Sequence, residues 1–114
     1  MKYFFKGILL LFISISTNAD CISALENSIG WTIIDSKIID GYIKENGKKE
    51  DSFEGCNYNR VIYFRDGTTV TCNSYGYQYA YAPTAIILGK SILYKGKKIT
   101  LFKMIVEDEE YNIQ

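Results

Sequence analysis

The stretch FEGCNYNRVIYFRDGTTVTCNSYGYQYAYAP, from Phe53 to Pro83, decides the fold of this chain. It holds two of the three cysteines, a strong hairpin signal and four tyrosines at every second position. These features predict a β-rich domain that is stabilised by a disulfide, and therefore an oxidising compartment. They do not identify a biochemical activity.

The hairpin signal is Asp66-Gly67, which lies between two runs of β-branched and aromatic residues. This dipeptide favours a two-residue turn because both of its positions accept positive φ. With the turn placed there, Tyr63 is expected to face Val70. Cys72 is then expected on the same face of the hairpin as these two residues.

A bridge between Cys56 and Cys72 is the pairing that the residues favour. A turn beginning at Cys56 can bring the two cysteines together, because Asn57 and Asn59 tolerate turn and left-handed geometry. The bridge would close a loop of about 15 residues and contribute about 3 kcal/mol in the chain-entropy model. Cys21 is the candidate for the unpaired cysteine. The alternatives are Cys21–Cys56, Cys21–Cys72 and a dimer linked through Cys21.

Four tyrosines alternate with smaller residues immediately before Pro83. They are Tyr75, Tyr77, Tyr79 and Tyr81. A period of two predicts a strand with all four rings on one face, which Pro83 ends or places at a sheet edge. The favoured interpretation is a packed layer of rings, because aromatic alternation in small β domains usually marks the core.

The alternative is that the tyrosines form an exposed platform that stacks on a sugar, a peptide or another planar ligand. In that case the four tyrosines and Arg60 are the candidate ligand-binding residues. An arginine beside such a platform can orient a carboxylate ligand. An ordinary salt bridge is the more common role for an arginine, and it is the favoured reading of Arg60.

The N-terminus has the layout of a secretory signal peptide. Residues 1–6 carry two lysines, residues 7–15 are almost entirely apolar, and residues 17–19 are small or neutral. The apolar run is too short for a transmembrane helix. The sequence therefore predicts a cleaved signal peptide at 1–19 and a single periplasmic or secreted domain at 20–114. A retained anchor is the alternative.

The charge balance bears on possible partners. Cleavage after residue 19 removes two of the 13 basic side chains and none of the 13 acidic ones, which leaves a net charge of about −2. A near-neutral domain lacks the electrostatic signature of proteins that bind nucleic acid or anionic membranes. We therefore expect no nucleic-acid partner, and no membrane insertion after signal cleavage.

Short strands and turn signals continue on both sides of the central stretch. They predict an all-β fold with a short N-terminal helix at 21–28, in which a small antiparallel meander closes into a barrel or sandwich with one disulfide. Residues 31–43 are expected to form one long strand, or two strands joined by a bulge near Asp40-Gly41. The other expected strands are 84–88 ended by Gly89, 92–94, 99–106 and 111–113.

The chain contains no histidine, which removes the commonest general base and the commonest zinc ligand. No glycine-rich phosphate loop is present, and no cofactor or metal is expected. The acidic run 107–110 is interpreted as a solvated turn rather than a cation site. A carboxylate pair such as Asp51 and Glu54 is the only hydrolase candidate, and nothing in its spacing distinguishes it.

The sequence also resembles a group of small exported bacterial proteins of unknown activity. The likeness rests on Phe53-Glu54-Gly55-Cys56, Asp66-Gly67, Cys72 and the alternating tyrosines before Pro83. It implies export, a bacterial source and a Cys56–Cys72 bridge, but no activity, and Cys21 is not part of the pattern. The resulting hypothesis is a non-enzymatic binding module for an envelope protein or glycan. The alternatives are a structural subunit of an envelope assembly and, least favoured, a carboxylate-dependent hydrolase.

Overall fold

The structure is a computed structural model that describes the chain from residue 18 to residue 114, with side chains from residue 22 onward. A short helix, α1 (Asn18–Glu26), precedes the strands. The strands are β1 (Thr32–Ile43), β2 (Lys49–Glu50), β3 (Val61–Phe64), β4 (Thr69–Thr71), β5 (Thr84–Tyr94), β6 (Lys97–Val106) and β7 (Glu109–Ile113). The predictions for residues 1–17 and for the pairing of Cys21 lie outside this description.

The strands form one antiparallel sheet in the order β4-β3-β1-β5-β6-β7, and β2 pairs with β1. The sheet curls into a half-barrel, because the chain beyond β4 pairs with the end of β7. Cys72 forms an isolated bridge with Ile113, and Thr71 and Gln114 exchange main-chain hydrogen bonds of 2.9 and 3.1 Å. The predicted all-β fold with a short N-terminal helix is confirmed.

The core lies inside the curl. The sheet contributes large buried side chains such as Ile39, Ile62 and Met104. The loop before β3 contributes Phe53, whose ring packs edge-on against Tyr111 with centroids 5.6 Å apart. Burial of these apolar surfaces is the main driving force for closing the sheet.

The predicted disulfide between Cys56 and Cys72 is confirmed, and both cysteines belong to the buried core. Their Cα atoms are 5.6 Å apart. The bridge connects the loop before β3 to the end of β4. It therefore adds a covalent link between segments that main-chain hydrogen bonds of Cys72 with Asn59 and Arg60, at 3.0 and 2.8 Å, already connect.

β1 is one continuous strand, which is the first of the two alternatives predicted from the sequence, and it contains an irregularity near the position expected for a bulge. Its register against β3 shifts between Ile39 and Gly41. A Cβ atom at Gly41 would collide with the main-chain oxygen of Glu50 and would lie 2.6 Å from the hydroxyl of Tyr63. A glycine is therefore required where the bulge brings β1 against its neighbours.

The predicted register of the β3–β4 hairpin is wrong by one residue. Tyr63 pairs with Thr69 rather than Val70, and the loop has three residues that end at Gly67, whose φ is +88°. This is the geometry of a hairpin that contains a glycine bulge. The shift turns Ile62, rather than Tyr63, into the core.

Contacts of Asp66 account for the wider loop. Its carboxylate accepts hydrogen bonds from the main-chain N–H of Thr68 at 3.0 Å and from the hydroxyl of Thr68. It also accepts one from the ammonium of Lys37 at 2.8 Å. The bond to Lys37 and those to Thr68 hold the pKa of Asp66 well below its usual range. A long-range contact thus supports a turn that the local sequence does not distinguish from a tighter one.

β5 does not end at Gly89, contrary to the prediction, but continues to Tyr94. A Cβ atom at Gly89 would lie 2.5 Å from the Cδ1 atom of Ile34 and 3.5 Å from the ring of Phe102. The glycine is therefore explained by close packing, and not by a break in the strand. Trp31, which precedes β1, is half-buried with the Lys103 ammonium 4.6 Å from the centre of its ring.

Candidate functional site

The segment Tyr75–Tyr81 connects β4 to β5 and is called the tyrosine ribbon below. It is extended, but it is not a strand of the sheet as the sequence predicted. Two isolated bridges attach it to the loop before β3, one between Cys56 and Gly76 and the other between Phe53 and Ala80. Each bridge has two main-chain hydrogen bonds of 2.8–3.0 Å. The ribbon is therefore held to the body near both ends.

The inward side of the ribbon packs on the core. A Cβ atom at Gly76 would lie 2.9 Å from the ring of Tyr111, so this position has room only for glycine. Gln78 donates a hydrogen bond to the main-chain oxygen of Val106 at 3.2 Å and accepts one from the Tyr111 hydroxyl at 2.7 Å. Ala80 is buried. The alternation of inward and outward residues follows the predicted period of two.

The outward side carries the four tyrosines. Tyr75, Tyr77, Tyr79 and Tyr81 are 69%, 69%, 64% and 75% exposed. The favoured interpretation of these rings as a packed layer is therefore wrong. The interior that they would fill already contains Phe53 and Tyr111, and the ribbon crosses over these side chains with only its smaller residues facing inward.

The polar groups of the ribbon are also open. Within the described part of the chain, none of the four tyrosine hydroxyls donates or accepts an intramolecular hydrogen bond. The main-chain groups of Tyr77 and Tyr79 have no main-chain partner there either. Exposed aromatic rings beside unused donors and acceptors provide both apolar contact area and hydrogen-bonding capacity.

Arg60 does not join this surface. Its guanidinium lies 4.3 Å from the centre of the Tyr42 ring and donates hydrogen bonds to the main-chain oxygens of Glu54 and Gly55 at 3.4 and 3.2 Å. Across residues 22–114, it makes no ion pair with a carboxylate. The favoured interpretation as an ordinary salt bridge is therefore wrong.

Arg60 instead lines an open groove of about 750 Å³ that none of the ribbon tyrosines lines. The exposed Tyr58 and the turn residue Asn59 contribute to its wall. Beside it, the hydroxyl of Tyr42 donates a hydrogen bond of 2.5 Å to the carboxylate of Glu54. This bond, together with burial, raises the pKa of Tyr42 to about 12. The groove was not predicted from the sequence, in which Asn57 and Asn59 indicate only the turn that forms part of its wall.

The acidic run does not converge on a point. Glu107 and Asp108 form the turn between β6 and β7, while Glu110 accepts a hydrogen bond of 2.6 Å from Lys103. Partial burial alone would raise the pKa of Glu110, but the hydrogen bonds from Lys103 and Asn27 outweigh it and lower that pKa. In the described residues, no group of three or more cysteine or acidic side chains is arranged to hold a metal ion.

The carboxylate pair considered for hydrolysis is also separated by its contacts. Glu54 is engaged by the Tyr42 hydroxyl, whereas Asp51 is exposed in a bend.

Between residues 18 and 114, no helix has the length and apolarity that a membrane span requires. Comparison with protein-family models, curated proteins and solved structures finds no match to this chain.

Proposed function

We propose that this protein is an exported, non-enzymatic binding module that holds a protein or glycan of the bacterial envelope on its tyrosine ribbon. The observation that carries the proposal is the exposure of four tyrosines on one side of a segment whose other side is anchored in the core. Exposed aromatic patches of this kind mark interaction sites more often than chance placement does.

The shape of the ribbon favours an extended ligand. Alternate residues of an extended chain are separated by about 6.5 Å, so the four rings span roughly 20 Å. A peptide or glycan chain can contact successive rings along that length, whereas a small compact ligand would reach only one or two of them. The open hydroxyls can hydrogen-bond either kind of chain.

The ribbon also meets the entropic requirement for a binding surface. A tyrosine side chain has few rotatable bonds, so it loses little conformational freedom when a partner covers it. The main chain is already held by the bridges at Cys56 and Phe53. Ordering before binding raises affinity because less free energy is lost on association.

Export is supported by two independent features. The residues at 1–19 have the charge and hydropathy pattern of a cleaved leader. The buried disulfide between Cys56 and Cys72 is typical of proteins that fold in an oxidising compartment, here the periplasm or the exterior. The absence of histidine and the engagement of Glu54 by Tyr42 support a role without catalysis.

The test is capture from envelope extract by the oxidised protein, with the double variant Tyr77→Ser and Tyr79→Ser beside it. A contacting aromatic side chain commonly contributes more than 1 kcal/mol, so the double variant should bind at least about 10-fold more weakly. Tyr58→Ser is the matched control, because Tyr58 is similarly exposed but lies in the groove.

The proposal fails if the ribbon variant captures the same partner with unchanged affinity, or if Tyr58→Ser weakens capture equally. If capture depends on the ribbon, treatment of the extract with protease or with glycan-degrading enzymes identifies the partner class. Loss of capture after proteolysis indicates a protein, and loss after glycan digestion indicates a glycan.

A further inference from the structure

β5 and β6 extend beyond the rest of the sheet as a two-stranded arm, defined here as residues 90–101. β1 accompanies β5 only as far as Gly89, and β7 accompanies β6 only from Phe102. The pairing of β5 with β6 continues to the last pair, Tyr94 and Lys97. At about 3.3 Å per residue, the arm projects roughly 17 Å past its neighbours.

The arm is strongly cationic although the chain as a whole is neutral. It carries Lys90, Lys95, Lys97 and Lys98, and no acidic residue occurs anywhere from 67 to 106. All 13 acidic side chains lie outside that range. The net charge of the sequence is balanced, but the charges are unevenly distributed, because the projecting arm has four lysines and no acidic residue.

The tip of the arm is also apolar. Leu93 is 79% exposed and Tyr94 is 57% exposed. They adjoin a tight turn at Lys95-Gly96, in which both residues have positive φ. Ile99 and Leu101 are exposed farther down the arm. Lysines and exposed apolar side chains therefore lie close together at the projecting tip, and the groove beside Arg60 includes no residue of the arm.

We propose that this arm docks the protein on the surface of an anionic lipid bilayer. Leu93 and the ring of Tyr94 would enter the boundary between headgroups and acyl chains, where tyrosine is favoured. The lysine ammonium groups would contact anionic headgroups while their stems lie along the apolar surface. Four lysines without an acidic residue, beside an exposed leucine and tyrosine, match the combination of anionic headgroups and apolar chains that a bilayer surface offers.

The contact is peripheral. Among residues 18–114, no strand pairs with the outer edges of the arm, so its edge main-chain groups belong in the hydrated interface rather than the hydrocarbon core. The arm tip lies roughly 33 Å along β5 from the end of the tyrosine ribbon. A protein docked in this way leaves the ribbon free, and membrane docking is therefore separable from the function proposed above.

The experiment is co-sedimentation of the oxidised protein with vesicles of phosphatidylcholine alone or mixed with phosphatidylglycerol. We expect binding to the anionic vesicles only, with an affinity that falls as salt is added. The charge variant Lys97→Glu with Lys98→Glu should bind at least about 10-fold more weakly, because each lysine near the surface contributes to attraction. Leu93→Ser should weaken binding without changing the charge.

The matched control is Lys48→Glu with Lys49→Glu, which makes the same change of charge immediately after another glycine-containing turn. Its vesicle binding should remain within about twofold of the original because these two lysines lie outside the arm. An effect of net charge alone would instead weaken the binding of both variants equally. Circular dichroism establishes that each variant is folded. Failure to bind anionic vesicles overturns the proposal. Equal loss in the control, or equally tight binding to poly-glutamate or to nucleic acid, overturns it as well.

Discussion

Removal of the Cys56–Cys72 bridge should both destabilise the domain and release the tyrosine ribbon. The two cysteines are 16 residues apart, and a loop of that length contributes about 3 kcal/mol to the free energy of unfolding in the chain-entropy model. A small domain has a total stability of about 5–15 kcal/mol, so the loss would be a large fraction of it. Cys56 also forms the bridge to Gly76 at the start of the ribbon.

The perturbation is the double variant Cys56→Ala with Cys72→Ala, compared with the oxidised protein by urea unfolding. With a slope of about 1–3 kcal/mol per molar urea, the midpoint should fall by about 1–3 M. Amide exchange should show loss of protection at Cys56 and Gly76, whose main-chain groups bond each other at 2.8 and 3.0 Å, before loss in the β5–β6 ladder. A stability loss below about 1 kcal/mol, or unchanged protection at Gly76, would refute this account of the ribbon.

Three further outcomes are expected. Gly76→Ala should lower the free energy of unfolding by about 1–3 kcal/mol in urea unfolding, because the added methyl group meets the buried Tyr111 ring. Hydrogen bonding to Glu54 raises the pKa of Tyr42 to about 12, and burial raises the pKa of Tyr111 to about 12. The two neutral tyrosine hydroxyls therefore contribute fully to the free energy of unfolding below pH 10, and this contribution is lost as the pH rises towards 12. Urea unfolding at a series of pH values measures the loss, which Tyr42→Phe should reduce. Lys103→Met removes the partner of Glu110 and should cost about 1–3 kcal/mol, with faster amide exchange in α1.

Local patterns were sufficient where the structural cause is itself local. The β-branched residues of 31–43 predict one long strand or two strands joined by a bulge near Asp40-Gly41, and the structure has one strand with a shift of register there. The spacing of Cys56 and Cys72 around a turn-rich segment predicts the bridge that is present. The propensities behind these predictions belong to neighbouring residues, whereas the close approach of Glu50 and Tyr63 to Gly41 was not predictable from them.

The errors arise where distant residues decide between local alternatives. Asp66-Gly67 is compatible with loops of two or three residues, and a hydrogen bond from Lys37, 29 positions away, supports the longer one. Gly89 reads as a strand end, whereas Ile34 from the neighbouring strand occupies the space of its missing side chain. Periodicity and turn composition do not contain such information, because it depends on which strands become neighbours.

The two proposed surfaces show the same limit. The alternation of residues predicts which tyrosines share a side of the ribbon. It does not predict whether that side is exposed, because Phe53 and Tyr111 fill the interior from other parts of the chain. A net charge near zero likewise excludes an anionic partner only if charges are mixed in space, and the antiparallel pairing of β5 with β6 instead gathers the lysines of residues 90–98 on one projecting arm. The proposed docking on an anionic bilayer therefore depends on topology. Charge reversal at Lys97 and Lys98 should weaken it more than charge reversal at Lys48 and Lys49, although both variants change the net charge by the same amount.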